Sequence, residues 1–184
     1  MGRTAGRATD DTRRIIVDAA TTLVAQRGSA VSIAEIAAAA GVSKGGLLYH
    51  FPTKEDLLRA GALELFESFR TRVYDAAQHE PEGTPGRLNR AYIRTSFADA
   101  ADEGLREMIA VAAQLMSEPS IVELSDADGD RWREDLTADG LPLSVVRLIV
   151  AATDGVSSAP LWGPVLDAAD QRALEQELLE MTRV

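Results

Sequence analysis

Residues 32 to 58 read SIAEIAAAAGVSKGGLLYHFPTKEDLL, which predicts two short helices, a tight turn and the start of a third helix. Ser32 and Glu35 are spaced as a capping box, in which each side chain accepts a hydrogen bond from the backbone N–H of the other residue. Gly41 follows the last apolar position of the first helix, where a left-handed backbone favours glycine. Ser43 is placed to cap the second helix. Two helices joined by a short turn that contains glycine form a helix-turn-helix unit.

The second helix of this unit has a surface suited to DNA. It opens with SKGG at positions 43–46, which are polar or have no side chain, and it closes with Tyr49 and His50. A recognition helix presents its N-terminal residues to base edges in the major groove. Lys44 and Lys54 are candidate contacts because each brings a positive charge to phosphates or bases. The stretch therefore predicts a DNA interface.

The stretch also resembles the DNA-binding headpiece of the tetracycline-repressor (TetR) family of bacterial transcription regulators. The matching elements are IAxxAGVSKG, L, YHF and KEDLL, in that order and without gaps, within about residues 12–60. The resemblance implies two groups of DNA contacts. Those to the DNA backbone are Ser32, Tyr49, His50 and Lys54, and those facing the bases are Ser43, Lys44, Gly45 and Gly46. For His50, a helix-end histidine bonded to the backbone is the alternative.

Two positions depart from the family pattern. Gly46 stands where the family often has threonine or alanine, and Leu48 stands where many members have the first of two tyrosines. The adjacent glycines have no side chains with which to read bases. We therefore expect direct readout to fall on Ser43, Lys44 and Tyr49, with more weight on DNA shape.

Charge is distributed unevenly along the chain. The net charge is −10, yet residues 1–60 carry 8 basic and 6 acidic side chains, whereas residues 61–184 carry 11 basic and 23 acidic ones. The stretch that resembles a headpiece is thus the part that is not acidic. Four arginines lie on or before the first predicted helix and suit contact with phosphate, although a solvated terminal tail is the alternative. These are Arg3, Arg7, Arg13 and Arg14.

The sequence lacks the patterns of several other classes of protein. It contains no cysteine, which excludes disulfides and cysteine-based zinc sites. No apolar run approaches the ~18 residues of a membrane span, and the N-terminus lacks the apolar core of a signal peptide, so a cytoplasmic protein is expected. The two histidines, His50 and His79, have no partner at metal-ligand or triad spacing. Neither an enzyme nor a cofactor is expected.

Three aspartates at alternate positions imitate the start of a calcium loop. They are Asp126, Asp128 and Asp130. Such a loop needs glycine at its sixth position and glutamate at its twelfth, where this chain has Arg131 and Thr137. The sequence therefore predicts an acidic surface turn without a metal.

The remaining sequence predicts an all-α fold of about nine helices. Residues 1–53 would form a three-helix headpiece, joined by a long fourth helix to a C-terminal effector-binding and dimerisation domain at residues 54–184. Gly61 in the fourth helix predicts a bend or a close packing contact. Thr84, followed by Pro85, predicts the start of the next helix. The later helices are expected at about residues 85–100, 103–117, 120–138, 142–158 and 168–182.

Two functions are expected of the C-terminal domain. The resemblance implies that the last two helices dimerise, and the apolar run at 143–151 is too broad for a one-sided helix, with a buried helix of a monomer as the alternative. The predicted dimer contacts are Val146, Val150, Leu174 and Leu178. A small effector is expected among aromatic and methionine side chains, for any one of which core packing is the alternative. The predicted effector contacts are Phe66, Phe69, Phe97, Met108, Met116 and Trp132.

Together these features predict a homodimeric DNA-binding transcriptional regulator, usually a repressor in this family, that leaves a palindromic operator when a small hydrophobic or amphipathic effector binds. One alternative is a DNA-binding regulator with no small-molecule effector, controlled by a protein partner. Another is a plain interaction module, against which the basic headpiece in an acidic chain argues.

Overall fold

The computed structural model describes residues 3–102, 113, 115, 116 and 118–183, with only the backbone described at residues 3–9 and 160. Within these residues the regular structure is helical and contains no strand, which confirms the all-α prediction. The described helices are α1 (Arg3–Arg27), α2 (Ile33–Ala39), α3 (Lys44–His50), α4 (Lys54–Ala77), α5 (Arg87–Ala101), α6 (Pro119–Ala138), α7 (Leu143–Trp162) and α8 (Ala168–Met181). None of them is long and apolar enough to cross a membrane. The predicted helix at 103–117 falls largely outside the described residues, as does the predicted effector contact Met108.

The helix-turn-helix is held by local hydrogen bonds that the sequence predicts. Ser32 Oγ accepts from Glu35 N at 3.3 Å, and Glu35 Oε2 accepts from Ser32 N at 2.9 Å, which confirms the capping box of α2. Gly41 has a φ of 68°, as the end of α2 requires. Ser43 Oγ accepts from Gly46 N at 3.0 Å and caps α3. These bonds fix where α2 ends and where α3 begins.

The described chain divides into two compact units. The first contains the described parts of Met1–Leu65 and Val111–Leu124, and the second contains the described parts of Phe66–Ala110 and Ser125–Val184. The predicted domain boundary at residues 53 and 54 lies at the start of α4, whereas the boundary between the two compact units falls within that helix. The roles predicted for the two domains stay predictions.

The core of the first unit is mainly aliphatic and also includes Phe51. Its fully buried side chains come from α1 to α4 and include Ile16, Val24, Ile36, Leu47 and Leu57. Near the middle of α4, a Cβ at Gly61 would lie 3.3 Å from Thr21 Oγ1 of α1. This confirms the close packing contact predicted at Gly61, and it secures the first half of α4 against α1.

The core of the second unit is built around α5. This helix packs on both α7 and α8. Trp132 of α6 completes an aromatic cluster, with its ring centroid 5.7 Å from that of Phe69 of α4 and 5.0 Å from that of Tyr92 of α5. Large rings bury much apolar surface and gain from such tilted and edge contacts. Three helices of the second unit therefore meet at Trp132.

The start of α5 differs from the prediction. Its N-cap is Gly86, with a φ of 76°, and not Thr84. Thr84 Oγ1 donates to the carbonyl of Pro81 at 2.8 Å and does not cap the helix. Gly86 N donates to Asp139 O at 2.7 Å, and this bond to a distant part of the chain places the helix start two residues later than the local pattern suggests.

Gly86→Ala is expected to lower the free energy of unfolding of the second unit by about 2–4 kcal/mol. The positive φ disfavours any Cβ, and a Cβ at this position would lie 2.9 Å from Leu141 Cδ2. Gly83→Ala is the matched control, because Gly83 has a φ of 81° but a Cβ there would meet no atom within 4 Å. Its expected cost is only about 1–2 kcal/mol. Urea unfolding measures both, and equal costs would contradict the packing of Gly86 against Leu141.

Candidate functional site

One side of α3 is buried and the opposite side is exposed. Leu47 is fully buried in the first unit, whereas Ser43 and Lys44 at the start of the helix are exposed. Tyr49 is 81% exposed, although tyrosine usually buries much of its ring. An exposed polar N-terminus with an exposed aromatic ring near the other end is a surface that fits a DNA groove.

The two candidate lysines differ in what their ammonium groups contact. Lys44 is exposed, and its side chain makes no hydrogen bond or ion pair with any residue that the structure describes. Lys54 Nζ donates to the backbone carbonyl of Ser29. Ser32 Oγ is likewise engaged in the capping box of α2. Lys54 and Ser32 therefore help to hold the first unit together, and Lys44 is the more available of the two cations.

A groove of about 410 Å³ lies beside α3 within the first unit. Its lining includes His50, Arg13 and Arg59. The Arg13 guanidinium carbon lies 4.8 Å from the centroid of the Phe51 ring, so a cation–π contact holds this charge at the groove. Arg59 was not identified as a site residue from the sequence. Its position near the first turn of α4 could have indicated it. Arg13, His50 and Arg59 thus line one concave surface next to α3, together with Asp56.

Glu35 gives the first unit a pH-sensitive contact. Hydrogen bonds from Ser32, and then from Arg27, lower the pKa of Glu35 from 4.5 to about 2. A carboxyl whose pKa is lower in the folded state stabilises the fold above its unfolded pKa, and that contribution is lost as the pH falls through the folded pKa. The capping box is therefore expected to weaken between pH 4.5 and about 2.

Glu35→Gln is expected to flatten the acid dependence of stability, because the amide cannot titrate. Thermal unfolding followed by circular dichroism at a series of pH values between 4.5 and 2 measures the slope. Glu55→Gln, at an exposed position in the first turn of α4, is the control and should leave the wild-type slope nearly intact. Identical slopes for wild type and Glu35→Gln would contradict this role of the capping box.

A cleft of about 790 Å³ lies between α6 and α7 in the second unit, which is within the range of small-molecule sites. The buried rings of Tyr92 and Trp132 and the buried side chains of Leu136 and Val146 line its inner surface. Asp154 of α7 also lines it, and desolvation raises the pKa of this carboxyl. The cleft combines an apolar inner surface with a few charged groups, as ligand sites do.

Trp132 is the predicted effector contact that lines this cleft. Phe97 is buried in the core of the second unit, and Phe69 packs against that core. Phe66 is half-buried, and Met116 belongs to the first unit. The structure does not bring these four to the cleft lining, and their effector contacts stay predictions. Sequence reasoning did not assign Asp154 to the cleft, although an acid two residues after the apolar run at 148–152 was a usable signal.

Arg70 of α4 is a buried cation. Its side chain is 7% exposed, and it donates to Asp128 Oδ1 at 2.9 Å and to Asp135 Oδ2 at 2.6 Å. Its guanidinium carbon lies 4.0 Å from the centroid of the Trp132 ring. The predicted acidic turn at residues 126–130 is therefore wrong: this segment is helical, and Asp128 pairs with Arg70. In the described chain no three potential ligand side chains gather as a metal site.

The predicted dimer contacts divide by their burial. Val146 and Leu178 are each 3% exposed and belong to the core of the second unit, while Val150 and Leu174 are half-buried. The apolar run of α7 thus fills the chain's own core with one side. On the solvent side it exposes Leu148, which is 54% accessible.

Further exposed apolar side chains lie at the end of α7 and in the segment that follows it. Residues 161–166, LWGPVL, are all exposed, and Trp162 is 82% accessible. Large apolar side chains that the chain leaves exposed mark places where a partner can pack. We call Leu148 and residues 161–166 the exposed apolar surface.

Two family models match the chain. The model described as "Tetracyclin repressor-like, C-terminal domain" matches residues 86–183, and the model described as "Bacterial regulatory proteins, tetR family" matches residues 16–60. The HTH-type transcriptional regulator AcrR of Shigella flexneri is 43% identical over 58 residues, which is 31% of this chain and 27% of that protein. The match therefore spans about a quarter of that relative's length.

Solved structures show the same fold. The multidrug binding protein EbrR complexed with malachite green has a TM-score of 0.70 at 24% identity, over 94% of this chain and 98% of that chain. GusR of Salmonella enterica has a TM-score of 0.65 at 23% identity, over 95% and 96% of the two chains. The ketosteroid transcriptional regulator KstR2 of Mycobacterium tuberculosis has a TM-score of 0.58 at 20% identity, over 92% of each. Because the C-terminal family model alone covers more than half of the sequence, the chain belongs to the tetracycline-repressor family of bacterial transcription regulators.

Proposed function

We propose that the chain acts as a homodimeric repressor. The helix α3 of each subunit enters the major groove at one half of a palindromic operator. A small effector bound in the cleft between α6 and α7 lowers the affinity of the dimer for that operator.

The exposed side of α3 carries the DNA part of this proposal. Ser43 and Lys44 are exposed at the N-terminus of the helix, and Leu47 anchors the opposite side in the core. Arg13 and Arg59 add positive charge at the neighbouring groove, where phosphates can be held. Together these groups provide a base-reading helix and a backbone-positioning surface, which are the two kinds of contact that specific recognition needs.

The exposed apolar surface supports a dimer. Leu148 and residues 161–166 present apolar side chains that the single chain leaves uncovered. A two-fold dimer buries the same surface on both subunits, so a single exposed apolar surface on each chain is sufficient to form it. A two-fold protein in turn calls for a palindromic DNA site.

The cleft supports a small-molecule effector. Its volume of about 790 Å³ and its buried rings suit a drug-sized compound. EbrR, whose fold is similar, has been crystallised with malachite green, and this adds support for a small ligand. Arg70, which pairs with Asp128 of the cleft lining, belongs to the same helix α4 as Lys54 of the first unit. An effector that changes the packing of α4 would couple the two sites by about 1–3 kcal/mol, the usual size of such coupling.

Lys44→Ala is expected to weaken operator binding by about 10- to 100-fold, because a good side-chain contact to a base edge is worth about 1–3 kcal/mol. Stability should not change, since Lys44 is exposed. Arg172→Ala, which removes an exposed cation from α8, is the control and should bind nearly as wild type. Fluorescence anisotropy with a labelled operator measures all three affinities. Equal losses of operator affinity in the two variants would show that Lys44 contributes only general positive charge.

The effector part is tested by blocking the cleft. Ala151 is exposed and lines the cleft, so Ala151→Trp should fill it without disturbing the core. We expect this variant to bind the operator and to resist release by compounds that release wild type. Ala127→Trp, at an exposed position of α6 that does not line the cleft, should be released normally. Release of Ala151→Trp at wild-type concentrations would place the effector elsewhere. A wild-type protein that no compound releases would favour control by a protein partner.

A further inference from the structure

The charged groups that line the cleft are not equivalent. They are Asp128, Arg133, Arg147 and Asp154. Asp128 is neutralised by Arg70, with Arg70 Nη2 2.9 Å from Asp128 Oδ1. Arg133 donates to Asp130 Oδ1 at 2.7 Å. The side chains of Arg147 and Asp154 make no hydrogen bond or ion pair with any described residue. Arg147 and Asp154 are therefore the two cleft charges without a partner in the described chain, whereas Arg133 has only a solvent-exposed one.

Asp154 and Arg147 are separated along α7. They are seven residues apart, which corresponds to about 10 Å along a helix axis. Arg147 consequently does not neutralise Asp154, and the two mark different ends of the cleft. Because α6 and α7 are consecutive helices joined by a short turn, they run in opposite directions, so we expect Asp154 toward Ser125 and Gly129 and Arg147 toward Thr137.

The surroundings of Asp154 favour a positive charge. Asp154 is exposed on the cleft lining, partial desolvation there raises the pKa of its carboxyl, and no described cation forms an ion pair with it. Tyr92, whose buried ring lines the same cleft, also senses the charge of Asp154, since burial first and this carboxylate second raise the pKa of Tyr92 to about 12. A ligand cation beside Asp154 would supply the missing counter-charge. Aromatic rings stabilise cations as well, and Tyr92 and Trp132 provide them.

We propose that the cleft selects a lipophilic cation, whose charge lies at Asp154 and whose apolar body packs on Tyr92, Trp132 and Val146. This inference rests on the proposed function of the cleft as the effector site, and it specifies the chemical class of the effector. Asp154 is the specificity-determining residue. Arg147, at the other end, disfavours ligands whose positive charge extends along the whole cleft.

A matched pair of probes tests this selection. Tetraphenylphosphonium and tetraphenylborate have nearly the same size and shape and opposite charges. We expect the wild-type dimer to bind the phosphonium at least tenfold more tightly than the borate in calorimetric titrations. Asp154→Asn should weaken phosphonium binding at least tenfold and leave borate binding equal or stronger. Its melting temperature without ligand should stay close to that of wild type, because Asp154 is exposed and makes no hydrogen bond or ion pair with a described residue.

Asp126→Asn is the control for net charge. Asp126 is an exposed acid of α6 that does not line the cleft, so the substitution changes the charge of the protein equally. It should leave phosphonium binding unchanged. Failure of the phosphonium to bind wild type, tighter binding of the borate, or equal losses in Asp154→Asn and Asp126→Asn would each overturn the proposal.

Operator release separates this inference from the function on which it rests. If the borate releases the operator and Ala151→Trp prevents that release, the effector cleft stands and the selection of cations fails. If the phosphonium binds in an Asp154-dependent manner and leaves operator affinity unchanged, the selection of cations stands and the release mechanism fails.

Discussion

Arg70→Ala is expected to lower the free energy of unfolding of the second unit by about 3–5 kcal/mol, the usual cost of removing one partner of a buried ion pair. The guanidinium is 7% exposed and bonds two carboxylates, and one of these, Asp128, is itself only 15% exposed. Without Arg70 that carboxylate is left without its buried partner. The ring of Trp132 also loses the cation 4.0 Å from its centroid.

Arg133→Ala provides the matched control for Arg70. Arg133 Nη1 lies 2.7 Å from Asp130 Oδ1, a comparably short distance, but the two side chains are 74% and 69% exposed. Solvent screens this pair, and its loss should cost less than about 1 kcal/mol. Urea unfolding of both variants gives the comparison. A small and equal cost for the two would show that Arg70 is not a structural centre of the second unit.

Leu148→Asp is expected to convert the dimer to a monomer and to abolish measurable operator binding. An aspartate at the exposed apolar surface would be desolvated without a partner in the dimer, which is costly, and would be harmless in the monomer because the position is 54% accessible. Sedimentation at micromolar concentration measures the assembly. Wild type should sediment as a dimer and Leu148→Asp as a folded monomer.

Two further substitutions make the assembly experiment specific. Leu63→Asp introduces the same charge on α4 at a similar accessibility of 45%, and it should remain dimeric. Val146→Asp should unfold the second unit rather than separate folded subunits, because Val146 is 3% exposed in the core. A wild-type monomer, or a Leu148→Asp variant that stays dimeric, would contradict the proposed interface.

The headpiece is the part of the fold that the sequence predicts in most detail, because its determinants are local. Ser32 and Glu35 are three residues apart, and Gly41 acts through its own φ. Such signals are visible within one turn of chain. The start of α5 is not visible in the local sequence, because Gly86 is positioned by a hydrogen bond to the carbonyl of Asp139. Tertiary contacts of this kind have no local pattern.

The candidate cleft and interface show a second limit of sequence reasoning. Apolar periodicity indicates which residues leave water, but it does not say whether they meet the chain's own core, a ligand or another subunit. Phe97 and Val146 are both apolar residues at helical spacing, and both lie in the core. Only Val146 of the two also lines the cleft. The cleft is lined by residues of α6 and α7 and by Tyr92 of α5, and this combination is a property of the whole unit. Asp154 becomes a candidate ligand contact only because this arrangement places it on the cleft lining.

The central claim, that a symmetric dimer reads DNA through α3, is tested most directly by selecting binding sites from a random pool of double-stranded DNA with the full chain. The account predicts enrichment of one palindromic sequence, with half-sites about 34 Å apart or a multiple of that distance. It also predicts that Lys44→Ala binds the selected site about 10- to 100-fold more weakly than wild type, whereas Arg172→Ala does not. Enrichment of no two-fold symmetric sequence, or a selected site that Lys44→Ala binds as tightly as wild type, would contradict the account.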